Sequence, residues 1–163
     1  MHIHLALPKR KHIRLSGFDY SQPGSYFITI CCHNRARLFG KIENGTMVLN
    51  ELGATIEKSW LWLQTHYLYV AIDEFIVMPD HFHAILSIKP NACGCNLKAE
   101  HIKTVSQLIG AFKTVSSKEI HGSITYTNIK IWQRNYWERI IRTEPELHAI
   151  RQYIRNNPKN WIP

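Results

Sequence analysis

Two apolar, β-branched runs, YLYVAIDEFIVM and HFHAILSI, are separated only by Pro79-Asp80. A dipeptide cannot carry a chain round to a parallel partner, which takes a crossover of a dozen or more residues, so the two runs must be antiparallel neighbours. Proline suits the first central position of the tight turn between them. A strand pair of this length needs an apolar face covered, and the flanking sequence supplies what covers it.

Upstream, SYFITICCH from Ser25 is β-branched and aromatic, as a buried strand should be. Asn44-Gly45 between KIE and TMVL predicts a small two-stranded ribbon, because that dipeptide tolerates the positive φ angles of a two-residue hairpin turn. Asn50 stands where a side-chain oxygen can cap a helix over ELGATIEKSWLWLQTH, and Leu52, Ile56, Trp60 and Leu63 recur there at helical spacing. Downstream, Thr104 and Gln107 have the spacing of a capping box, followed by the stripe Val105, Leu108, Ile109, Phe112 and Val115. ERIIR within IWQRNYWERIIR reads as a short strand. Thr143 with Glu146 opens a last helix that tolerates Pro145 in its first turn, turns Leu147, Ile150 and Ile154 inward, and stops at Pro158. The order is therefore strand, ribbon, helix, strand, strand, helix, strand, helix. This predicts an α+β fold of the ferredoxin-like or RRM-like kind, a βαββαβ antiparallel sheet with helices on one face and an extra C-terminal helix. Residues 1–163 read as one domain, with a basic arm at 1–17 and an exposed loop at 89–103.

With 163 residues one core can form without disulfide or metal staples. Cys31, Cys32, Cys93 and Cys95 match neither a disulfide framework nor a C-x2-C zinc pair, so free thiols are expected. Twenty basic against twelve acidic side chains leave a formal charge of +8, which points to a polyanionic partner, nucleic acid first. No stretch approaches the ~20 apolar residues that span a bilayer, and the start lacks the apolar core of a secretory signal; the expectation is a cytoplasmic protein without a membrane partner. No G-x-x-x-x-G-K-[ST] run is present, and no nucleotide cofactor is expected.

His81 and His83 alternate along a strand, so both project from one face while Phe82, Ala84 and Leu86 point to the other. Two imidazoles so placed can converge on one divalent ion. With 10 histidines in the chain, about 0.6 H-x-H tripeptides arise by chance, and exposed strand histidines with no role stand as the other reading. On the last helix Tyr153 and Asn157 lie one turn apart, at a border of the apolar stripe, where the helix meets the sheet. Taken alone, that pattern more often marks a boundary packing tyrosine than a nucleophile.

FIVMPDHFHAIL, LIGAFKTVSSKEI, WQRNYWERIIR and QYIRNNPKNW, in this order and spacing, resemble the HUH single-tyrosine (Y1) transposases, and most closely their REP-associated branch. The likeness runs from FDYSQPGSYFITICCHNRARLFG to the end. It implies His81 and His83 as metal ligands, Tyr153 as nucleophile and Asn157 as third ligand. It further implies a metal-dependent endonuclease and strand transferase that cuts and rejoins single-stranded or hairpin DNA through a 5′-phosphotyrosine. Many relatives carry Gln where this chain has Asn157, and a residue before proline is pushed away from helical geometry, which puts the reach of Asn157 in question. Mg²⁺ or Mn²⁺ suits such a donor set, the imidazoles favouring Mn²⁺.

Lys9, Arg10, Lys11, Arg14, Lys113, Lys118, Arg134 and Arg139 are candidate phosphate contacts, and Trp132, Tyr136 and Trp137 candidate stacking partners for unpaired bases. Tyr136 is a rival nucleophile by chemistry but lacks a metal-competent group one turn away. The wider family favours a homodimer, whereas the short linker before the Tyr153 helix favours a site within one chain. The alternative function is a noncatalytic RRM-like nucleic-acid-binding module with a structural metal.

Overall fold

The alternating apolar residues of the strands organise a four-stranded sheet in the computed structural model, which describes residues 19–89, 102–123 and 129–161. In chain order the elements are β1 (Gly24–Cys31), β2 (Gly40–Glu43), β3 (Thr46–Leu49), α1 (Glu51–His66), β4 (Val70–Val77), β5 (His81–Ile88), α2 (Val105–Ser123), β6 (Trp137–Ile141) and α3 (Glu144–Asn156). The sheet runs β4-β5-β1-β6 with every pairing antiparallel, and β2-β3 is a separate ribbon. This is the expected βαββαβ plan, with the ribbon inserted before α1 and α3 appended. The basic arm and most of the 89–103 loop, with Cys93 and Cys95, lie outside the described residues.

Local signals account for the elements. Asn44 and Gly45 take φ values of 50° and 72°, the two consecutive positive angles that the ribbon turn requires. Asn50 Oδ1 accepts from the amide of Gly53 at the start of α1. Gly53 also lets the helix approach the chain, since a Cβ there would meet the carbonyl oxygen of Phe39. Thr104 and Gln107 exchange both bonds of a capping box. At α3, Thr143 Oγ1 accepts from Glu146 N, while the Glu146 carboxylate reaches back to Arg142 N instead of completing the box on Thr143.

Tyr26, Ile28 and Ile30 of β1 and Phe82, Ala84 and Leu86 of β5 are buried together with Trp60 of α1 and Phe112 of α2. The Trp60 ring stands 4.9 Å from Phe82 and 5.0 Å from Phe112, edge to face with both. Burial of side chains of this kind contributes roughly 1.5–3 kcal/mol each. The opposite face is covered too, which corrects the expectation of helices on one side. Ile85 and Ile141 pack with Ile154 of α3, and Phe27, Ile76, Leu147 and Ile150 join them. The physical reason is that β1 and β5 are apolar at alternate positions on both faces, so a one-sided cover would leave Phe27 and Ile85 in water.

A bulge in β4 fixes where α3 sits. Register slips between Ile72 and Phe75, so the consecutive carboxylates of Asp73 and Glu74, which in a regular strand would point oppositely, both serve α3. Asp73 accepts Nε and Nη2 of Arg151, and Glu74 accepts Nε of Arg155 at 2.7 Å. These arginines are one helical turn apart and flank Tyr153. Past the helix, Asn157 keeps α-helical angles (φ −56°, ψ −43°) despite preceding proline, contrary to the expectation. Its amide still bonds to Ile154 O, and Pro158–Asn160 continues as a 3-10 turn whose first position tolerates proline.

Candidate active site

Register builds the site. His83 is the cross-strand partner of Thr29 and His81 of Cys31, so these four side chains share the face that α3 covers in part. Thr29 Oγ1 lies 2.8 Å from His83 Nδ1, and Asp80 Oδ1 lies 2.6 Å from His81 Nδ1. A carboxylate can only accept, so His81 Nδ1 carries the proton and Nε2 of the neutral ring keeps its lone pair. The ring centroids stand 4.6 Å apart. Burial pushes both imidazoles below their ordinary pKa: for His81 it outweighs the pull of Asp80, and for His83, reinforced by the charges of His81 and Arg35, it reaches about 3. Neutral imidazoles are the form that ligates metals.

The turn after β1 adds a charge. Arg35 Nε meets the buried Asp80 carboxylate at 3.0 Å, and its Nη1 lies 3.0 Å from Cys31 Sγ. Asn34 and Arg35 hold φ values of 53° and 56°, left-handed angles that cost a non-glycine residue roughly 1–2 kcal/mol each. Backbone bonds from Cys32 N to Asp80 O and from His33 N to Ile131 O hold the turn.

From the helix side, Tyr153 is half exposed, with its ring edge against Phe27 and His83. Its hydroxyl stands 3.4 Å from His83 Nε2, close but long for a hydrogen bond. Asn157, one turn later, lines the same cleft as His81. An open cleft of about 400 Å³ unites Thr29, Arg35, His81, His83, Tyr153, Asn157, Asn160 and Trp161. Two neutral imidazoles and an amide oxygen at one cleft fit a divalent ion such as Mg²⁺ or Mn²⁺. Among the described residues no three His, Cys, Asp or Glu side chains gather as a metal site, and beside the two imidazoles the cleft offers the side-chain oxygens of Asn157, Asn160, Thr29 and Tyr153.

The four residues singled out for chemistry thus meet in one cleft; the candidate DNA contacts divide. Lys9, Arg10, Lys11 and Arg14 lie outside the described residues. Trp132 is corrected: at 6% exposure it packs on Phe39 and Phe112, and its indole N–H donates to Ser116, so no base can stack on it. Lys113 is half-buried. Its ammonium donates to the carbonyls of Gln133, Arg134 and Asn135, and burial lowers its pKa to about 8. Tyr136 bonds to Glu138 and to Ser106 of α2, on the far side of the sheet from His83, which removes it as a rival nucleophile. Lys118, Arg134, Trp137 and Arg139 are exposed, although Arg139 pairs with Glu146 at 2.8 Å. Trp137, 62% exposed, is the cross-strand partner of Thr29 and lies on the cleft's face.

Sequence reading missed Thr29, Asp80, Arg35 and Trp161. Asp80 adjoins the histidines and could have been weighed as the partner of His81; Thr29 and Arg35 become visible only once β1 is in register with β5. Trp161 stands 5.7 Å from the His81 ring, and the Arg37 guanidinium lies over the Trp161 ring at 6.0 Å.

The profile of the family described as transposase IS200-like matches residues 24–157. A Haemophilus influenzae protein described as uncharacterized is 39% identical over 161 residues, covering 93% of this chain and 89% of the relative. A second protein of that organism, assigned as a REP-associated tyrosine transposase, is 24% identical over 140 residues, 86% of this chain and 73% of its own. A solved REP-associated tyrosine transposase bound to a REP hairpin superimposes with a TM-score of 0.61 at 17% identity, covering 91% of this chain and 74% of that one.

Proposed function

The chain belongs to the IS200-like transposase family, and on that premise we propose that it nicks and rejoins single-stranded DNA at hairpin repeats, with Tyr153 as nucleophile. One observation carries the reading: the Tyr153 hydroxyl lies 3.4 Å from Nε2 of a histidine whose other nitrogen is already engaged. A hairpin substrate is the natural extension from the neighbour solved with a REP hairpin.

In the nicking step the Tyr153 oxygen bonds to phosphorus and the bond from phosphorus to the 3′ oxygen breaks. The phenol loses a proton and the departing 3′ oxygen gains one. The ester is stored on the protein, so rejoining needs no ATP. A phenol has an ordinary pKa of about 10 and is a poor nucleophile at neutral pH. A divalent ion held by His81, His83 and Asn157, Mg²⁺ or Mn²⁺, would polarise the scissile phosphate and offset the charge that develops on it. Thr29 and Asp80 hold the imidazoles in orientation. The arginine clamp on Asp73 and Glu74 sets the height of Tyr153 over the sheet. Lys118, Arg134, Arg139 and the arm residues Lys9, Arg10, Lys11 and Arg14 contact phosphates, and Trp137 stacks an unpaired base.

The test is incubation with a labelled hairpin oligonucleotide and Mn²⁺. A covalent protein–DNA adduct that disappears in Tyr153→Phe is expected. Tight binding without adduct in any divalent metal would make the protein a noncatalytic nucleic-acid-binding module instead.

A further inference from the structure

We propose that Arg35 is a catalytic residue of the cleft, its guanidinium taking a non-bridging oxygen of the scissile phosphate; the inference rests on the strand-cutting reading above. Among the described residues that line the cleft, Arg35 is the one Lys or Arg side chain. The reaction places a phosphodiester there, and its transition state adds negative charge to the non-bridging oxygens, which a preorganised cation stabilises.

The guanidinium is held ready for such a ligand. Of its five N–H donors, one on Nη1 donates to Cys31 Sγ and Nε faces Asp80 at 3.0 Å in an ion pair, which leaves three for an anion. Asp80 is nearly buried while the Arg35 side chain is 52% exposed, so one edge of the planar fork is anchored and the other opens to the cleft. An arginine that merely neutralised Asp80 would have no need of so open a position.

The backbone supports the same reading. Two consecutive non-glycine residues, Asn34 and Arg35, adopt left-handed angles, although glycine would fit there without strain. The strained turn persists because its neighbours fix it: Cys32 N bonds to Asp80 O, Phe39 N to Pro79 O and His33 N to Ile131 O. Strain retained at the mouth of a reactive cleft is the pattern expected when side-chain placement outweighs local stability.

Two measurements on the full chain test this. In Mn²⁺, the single-turnover rate of adduct formation is compared for wild type, Arg35→Gly, Arg35→Lys and Tyr153→Phe. Arg35→Gly relieves the left-handed strain but leaves the nearly buried Asp80 carboxylate without its guanidinium, so its fold is checked by circular dichroism, and the folded variant should react about 100- to 1000-fold more slowly; Arg35→Lys recovers part of the rate. Binding is then measured without metal in the Tyr153→Phe background, using an oligonucleotide whose scissile phosphate is either charged or replaced by an uncharged methylphosphonate. Neutralising the phosphate should weaken binding about tenfold when Arg35 is present and have no effect in Tyr153→Phe/Arg35→Gly.

A wild-type rate in Arg35→Gly, or a methylphosphonate penalty that survives loss of the arginine, overturns the inference. So does a rate loss accompanied by weakened Mn²⁺ binding with no change in that penalty, which would make Arg35 a positioning residue acting through Asp80. Should Arg35→Gly fail to fold, Arg35→Lys carries the same comparison, with a smaller penalty expected. If wild type forms no adduct, the strand-cutting reading falls and takes this inference with it; if the adduct forms and depends on Tyr153 but not on Arg35, only the inference falls.

Discussion

Thr29 and Asp80 contact no reacting atom, yet each holds the Nδ1 of one site histidine. A ring released from such a partner can rotate and change tautomer, and loss of this support typically weakens metal binding by 10–100-fold. Thr29→Val and Asp80→Ala are each expected to weaken Mn²⁺ binding by about that factor in titration calorimetry; unchanged affinity would mean that packing alone orients the imidazoles. The histidines themselves were legible, because alternation along a strand puts His81 and His83 on one face whatever the fold. Thr29 was not, since its role depends on which residue of β1 lies opposite His83. Asn157 was legible as a position but not as a conformation: the rule for residues before proline yielded here to the 3-10 turn that continues α3.

At the scale of the element, α3 does the work of delivery. Ile154 is fully buried against Ile85 and Ile141, one residue from Tyr153, so Ile154→Ala should cost about 2–5 kcal/mol in urea unfolding and reduce adduct formation as the helix loosens. Retention of both would show that the arginine clamp alone holds the helix. The clamp has its own signature. The Arg151 guanidinium beside Asp73 holds that carboxyl below the usual carboxylate range. A depressed folded-state pKa gives stability that is complete above the unfolded value near 4 and is lost as pH falls through the folded value. Asp73→Asn should therefore be less stable than wild type at pH 7, with the difference shrinking below about pH 4; a difference that ignored pH would contradict the clamp. The capping residues and stripe of α3 were readable from Thr143, Glu146, Leu147, Ile150 and Ile154. The bulge was not, because VAIDEFIV reads as an unbroken strand and nothing in it reveals that Asp73 and Glu74 both turn to the helix.

For the whole molecule, the order of elements and the antiparallel pairing of β4 with β5 followed from the sequence, because the Pro79-Asp80 turn, the Asn44-Gly45 ribbon and the capped helices mark them locally. The covering of its second face did not, since apolar residues on both sides of β5 announce burial without naming the element that provides it. A chain with formal charge +8 should bind a hairpin oligonucleotide with an affinity that falls steeply and linearly in log salt. Trp137, exposed beside Thr29, should contribute about 1–3 kcal/mol to binding of the single-stranded flank, so Trp137→Ala weakens that binding while a blunt duplex stem binds as before. Equal losses on both ligands would remove its stacking role. The Tyr153 hydroxyl stands 3.4 Å from His83 Nε2 of its own chain. The most direct test of the account is peptide mass spectrometry of the protein after reaction with a hairpin oligonucleotide and Mn²⁺. The peptide containing Tyr153 should carry a 5′-linked nucleotide phosphate; linkage at Tyr136 or any other residue, or nicked DNA with no linked peptide, would contradict a Tyr153 nucleophile.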